Sequence, residues 1–137
     1  MISKFFMLAS AGVVLALGTV HLVYTFQGHK LAPRDPAVKQ AMALSPLVLT
    51  AQTTVWKAWV GFNFSHSLGA MLFGLVYGYL AVAQADMLFR SPYLLALGLA
   101  MLAALWLLAR LYWFSVPMLG VSLALGLYVA GVLLRQH

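Results

Sequence analysis

Apolar runs long enough to cross a bilayer alternate with short polar breaks along this chain, and that rhythm sets its reading. Residues 5–26, preceded by Lys4, form the first run, and 22 residues exceed the roughly 20 that a helix needs to span the hydrocarbon core. A cleaved signal peptide competes for this segment, but its apolar stretch usually ends within about 7–15 residues, so the run reads as a retained span. Residues 92–109 and 116–134 supply two further spans. Between 46 and 83 the pattern is too long for one crossing, since an unbroken helix would measure about 57 Å. Its first part carries Thr50, Gln52, Thr53, Thr54 and Lys57 on one side and Leu44, Val48, Ala51, Val55 and Trp59 on the other. That part reads as interfacial helix, leaving 58–82 as the second span.

Local punctuation locates the helix starts. Asp35-Pro36, Ser45-Pro46 and Ser91-Pro92 each place a capping side chain before a proline suited to the first turn, and Ser115-Val116-Pro117 is a near variant. The first pair opens a short amphipathic helix, 36–44, lying on the membrane surface. The second pair opens the long second helix, and the others open the last two spans. Residues 84–91, with Asp86 and Arg90, read as a loop. The expected fold is an all-α integral membrane protein, a four-transmembrane-helix bundle with a short amphipathic interfacial helix in the first loop, forming a single membrane domain over 1–137. Its Lys and Arg residues divide three against five between the two sides, while the basic start of the chain opposes that balance, so orientation stays open.

Composition strengthens the membrane reading. With 64% hydrophobic and 7% charged residues, the chain lies far outside soluble averages. The absence of cysteine removes disulfides, thiolate nucleophiles and iron–sulfur clusters, so redox chemistry would need a borrowed cofactor, and the sequence itself requires none. The net charge of +6 comes from eight Lys/Arg against Asp35 and Asp86, and the cations lie at the ends of the apolar runs, where they suit anionic headgroups. No basic stripe with interleaved aromatics points to nucleic acid. The expected setting is a multi-pass protein of the bacterial inner membrane, with the lipid bilayer as its first partner.

Every span also carries small residues four apart: Gly12 and Ala16; Ala70, Gly74 and Gly78; Ala96, Ala100 and Ala104; Ser122, Gly126 and Ala130. Such rows let helix backbones approach closely in lipid, within one bundle or between copies of a homo-oligomer.

Against this background one polar knot stands out, Asn63-Phe64-Ser65-His66-Ser67, in the second span. Polar and ionisable groups inside a bilayer are expensive and usually functional. Trp59, Asn63, His66, Ala70, Gly74 and Tyr77 share one helical face, and Met7, Ala11, Val14, Gly18, His21 and Thr25 share another. His21 and His66 therefore point inward at similar depth, on the side of the first loop. The expectation is an intrabundle pocket lined by His21, Asn63, His66 and Ser67 and fringed by Lys57 and Arg110, which binds a small amphiphilic or lipid-like ligand.

Other readings compete. The cluster can be a set of interhelical hydrogen bonds in a non-catalytic structural or accessory subunit of a membrane complex. His21 and His66 can ligate a b-type haem. A zinc or copper site needs three or four ligands, for which His29 would have to fold back. A membrane enzyme with a lone-His base, for an isomerisation, completes the set. Paired-carboxylate catalysis lacks its residues, because there is no glutamate and neither aspartate lies in a span. Ser65 and Ser67 point about 100° away from His66 on a helix, which disfavours a nucleophile–base pair. Asn63-Phe64-Ser65 matches a glycosylation pattern but falls inside a span. No second polar break recurs to suggest a transporter repeat.

Overall fold

The computed structural model describes residues 1–27 and 30–136, apart from the side chain of Gln136. These residues form α1 (Ile2–Phe26), α2 (Pro36–Leu44), α3 (Val55–Ala83), α4 (Ala85–Arg90), α5 (Pro92–Tyr112) and α6 (Ser115–Leu133), with a closing 3-10 turn at Leu134–Gln136. Among the described residues there is no β-strand, only one isolated bridge between Pro46 and Thr54. Helices α1, α3, α5 and α6 are each long and apolar enough to cross a membrane. His29, weighed above as a third metal ligand, lies outside the described residues.

Backbone contacts group the chain into two units, Met1–Leu17 with Ala70–His137, and Gly18–Gly69. The first holds the apolar core. Met7, Ala11 and Val14 of α1 follow steps of three and four, as do Ala70, Phe73, Tyr77, Leu80 and Ala81 of α3, and they bury against Leu95 and Leu102 of α5 and Ala124 and Tyr128 of α6. Close backbone approach and interhelical hydrogen bonds add to this apolar burial. At Gly74 an added Cβ would lie 2.8 Å from the Ala11 carbonyl oxygen and 2.9 Å from the Leu15 nitrogen, so α1 and α3 touch backbone to backbone. The buried Ser10 hydroxyl donates to the Ala124 carbonyl at 2.7 Å. The Tyr77 and Tyr128 hydroxyls donate to the Leu94 and Leu95 carbonyls at 2.7 and 3.0 Å, and Trp106 Nε1–H donates to Ser122 Oγ at 3.2 Å. Within this unit α1 and α5 each pack against both α3 and α6.

Two of the proline punctuation signals act as expected. Asp35 accepts from the Ala37 N–H and Ser91 from the Leu94 N–H, opening α2 and α5. Ser45-Pro46 does not open a helix: the Val55 N–H donates to the Ser45 carbonyl and Pro46 pairs with Thr54, so the intervening residues close into a loop and α3 begins only at Val55. The amphipathic helix expected over this stretch is therefore absent. Ser115 is the first residue of α6 rather than its cap, and Phe114 stands at the cap without a side-chain bond. Residues 84–91 contain the six-residue α4 instead of a plain loop, because Ala85 and Leu88 are buried and fold the segment onto the core. The small-residue rows divide sharply. Ala70 and Gly74 are buried, whereas Ala96, Ala100 and Ala104 are exposed and a Cβ added at Gly12 or Gly126 would meet no neighbouring group within 4 Å. Packing on α5 uses the neighbouring row Leu95, Gly98, Leu102, Leu105 and Ala109.

Candidate functional site

The second unit, Gly18–Gly69, contains the polar knot. His21 and Thr25 are one turn apart on α1, and the Thr25 hydroxyl donates to the His21 carbonyl at 2.8 Å. On α3 the Asn63 amide N–H donates to the Trp59 carbonyl at 2.8 Å, a bond that fixes which way the amide faces. Its oxygen is thereby turned to His21 Nε2, 3.0 Å away. An amide oxygen only accepts, so Nε2 is the donor of this bond.

His66 follows Asn63 by three residues and meets the same partner. The His21 and His66 rings stand edge to face, with centroids 5.1 Å apart and planes at 79°. Sequence spacing thus identified three residues that do converge: His21, Asn63 and His66. Ser67 is fully buried, but its hydroxyl donates to the Asn63 carbonyl at 3.0 Å and closes a turn of its own helix. Ser65 does likewise toward Phe62 on the exposed side.

Beside the knot lies a small cleft, volume ≈ 40 Å³, whose wall includes Asn63, Thr25, Tyr24, Trp56, Trp59 and Lys39. Trp59 Nε1–H donates to the Leu31 carbonyl at 3.0 Å and so ties the segment after α1 onto α3. The Lys39 ammonium lies 5.0 Å from the centre of the Trp56 ring, and the Lys30 ammonium 4.9 Å from that of Tyr24. Both cations rest on aromatic faces, where ring quadrupoles attract them. Elsewhere in this unit the Phe26 and Phe64 rings meet edge to face, with centroids 5.4 Å apart.

The rim differs from the one expected. Lys57 is exposed in the first turn of α3 and does not line the cleft; its backbone N–H donates to Thr54 Oγ1. Arg110 belongs to the other unit, where its guanidinium lies 5.9 Å from the Trp106 ring. The cation at the cleft is Lys39 of α2, a residue the expected rim did not include. Trp59 was legible from its place on the helical face of Asn63 and His66. Nothing local marks the Lys39–Trp56 contact, since a loop of ten residues separates α2 from α3.

Among the described residues no group of three or more His, Asp or Glu is placed to hold a metal ion. Comparison of the chain with family models, characterised proteins and solved structures finds no match.

Proposed function

We propose that this chain is a multi-pass protein of a membrane of the bacterial inner-membrane type, and that its His21/Asn63/His66 knot and adjoining cleft hold the polar head of a small amphiphile. Four membrane-length helices support the first half of that reading. So do the large side chains they turn outward, among them Phe5, Leu72, Val82, Leu107 and Leu123, a distribution that lipid solvates and water does not.

One observation carries the second half: Asn63 belongs both to the hydrogen-bonded knot and to the wall of the Lys39 cleft. Size then decides what enters. A water needs about 10–15 Å³ of such volume, whereas whole small-molecule pockets run to roughly 300–1,000 Å³. A cleft of ≈ 40 Å³ takes a carboxylate or the tip of a phosphate, while the tail stays among lipid chains. Lys39 in its wall favours an anionic head.

The haem alternative gains less support. Axial ligation needs two imidazole nitrogens facing each other across a porphyrin, and here one ring's edge meets the other's face. A lone-His enzyme gains none from the carboxylates, with Asp35 capping α2 and Asp86 in the first turn of α4. The accessory-subunit reading has an observation of its own: an apolar groove of ≈ 280 Å³ between α5 and α6, lined by Ala96, Leu99, Val129 and Val132 among others.

Native mass spectrometry of gently extracted protein tests the proposal. Wild type should retain a small non-protein mass that Lys39→Gln and Asn63→Leu both lose, the first leaving the knot intact. Equal retention by all three would overturn the site, and a retained protein partner in place of a small molecule would favour the subunit reading.

A further inference from the structure

We infer that the loop between α2 and α3 is a membrane anchor, which inserts Val48 and Leu49 into the headgroup–acyl boundary of an anionic bilayer. This rests on the membrane reading proposed above and goes beyond its cleft. The loop is shaped by its own backbone. Its base is closed by the Val55 N–H donating to the Ser45 carbonyl at 2.9 Å and by the Pro46–Thr54 bridge. At its tip the Thr50 N–H donates to the Leu47 carbonyl at 3.3 Å, which makes Val48 and Leu49 the two central residues of a tight turn, and the Gln52 N–H donates to Thr50 Oγ1. Such positions usually carry Gly, Pro, Asn, Asp or Ser. Here they hold two branched apolar side chains that are 110% and 91% exposed, with Leu44 at the foot of the loop 74% exposed.

Two further observations name the occupant. The loop closes directly on the first residue of α3, whose 29 residues extend about 43 Å. That length matches the roughly 40–45 Å of a bilayer including its headgroups, so a spanning α3 carries the loop at headgroup level. Charge selects the lipid. The unit Gly18–Gly69 has Lys30, Arg34, Lys39 and Lys57 against the single acid Asp35, a balance that attracts anionic headgroups. An apolar tip with cationic surroundings is the combination that holds peripheral segments at such surfaces.

The chain has no cysteine, so a single introduced one takes a nitroxide label without competition. Leu49→Cys, Gln40→Cys on exposed α2 and Leu123→Cys on the outward face of α6 would each be labelled in nanodiscs of phosphatidylcholine with phosphatidylglycerol. Power saturation would then compare access to oxygen and to a water-soluble nickel chelate. The Leu49 label should favour oxygen over nickel, to a degree between the Gln40 and Leu123 labels, and should become shallower in pure phosphatidylcholine. Nickel access at Leu49 equal to that at Gln40, with the Leu123 label still lipid-buried, would overturn the anchor alone. Nickel access at Leu123 as well would overturn the membrane reading with it. Shielding of Leu49 from both agents would mean protein contact and would also overturn the anchor.

Discussion

Gly74→Ala tests the closest helix contact in the core. The new Cβ would meet Leu15 Cβ at 2.7 Å, the Ala11 carbonyl oxygen at 2.8 Å and the Leu15 nitrogen at 2.9 Å, against an ordinary contact that starts at 3.4 Å. Two of these atoms are backbone, so no rotamer change relieves them, and α1 must move away from α3 by about half an ångström or more. Overpacking of this kind costs about 1–3 kcal/mol, and the upper part of that range applies where backbone is struck. Alanine's better helix propensity offsets about 0.8–1.0 kcal/mol. The net expectation is a loss of about 1–2 kcal/mol, or a Tm lower by about 3–10 °C for a chain of this size. Gly78→Ala is the internal control, because its Cβ would meet nothing nearer than 3.9 Å and keeps the propensity gain. Thermal unfolding followed by tryptophan fluorescence, with all proteins in one detergent, reads the difference. A Gly74→Ala protein as stable as wild type, or a Gly78→Ala protein that falls as far, would refute the backbone contact.

Further expectations concern the tyrosine and serine contacts of the core. Gly98→Ala drives a Cβ into the Tyr128 hydroxyl and to within 2.7 Å of both the Tyr128 and Tyr77 rings, so it should lower Tm more than Tyr128→Phe in the same fluorescence melt. The latter keeps the ring and removes one neutral hydrogen bond, worth about 0.5–1.5 kcal/mol. Ser10→Ala removes the bond to the Ala124 carbonyl and should cost about 0.6 kcal/mol and not more than about 1.7, measurable by denaturant titration in mixed micelles.

Much of the architecture was legible because its signals are local. Asp35-Pro36 and Ser91-Pro92 carry the whole start signal in adjacent residues, and the side chains make the capping bonds that spacing implies. The inward faces of α1 and α3 were legible for the same reason, since Met7, Ala11 and Val14, and Ala70, Gly74 and Tyr77, need only the helical period. What failed depends on partners distant in the chain. Ser45-Pro46 resembles the other two signals, but Pro46 pairs with Thr54 eight residues later and the helix never starts. The row Ala96/Ala100/Ala104 is as good a packing surface by spacing as the row of α3, yet α5 buries its neighbouring face, where Gly98 receives the Tyr128 ring. In the candidate site, helical spacing brought His21, Asn63 and His66 together. It missed Lys39, whose place over Trp56 depends on how the intervening loop closes.

The most direct test of the proposed function is photo-crosslinking in lipid nanodiscs with a fatty acid that bears a diazirine close to its carboxylate, followed by peptide mapping. Adducts should concentrate on the segments holding Tyr24, Lys39 and Trp56 and should fall away in Lys39→Gln and Asn63→Leu. Adducts spread evenly over the outward faces of the four long helices, and unchanged in both variants, would contradict a headgroup site at the cleft.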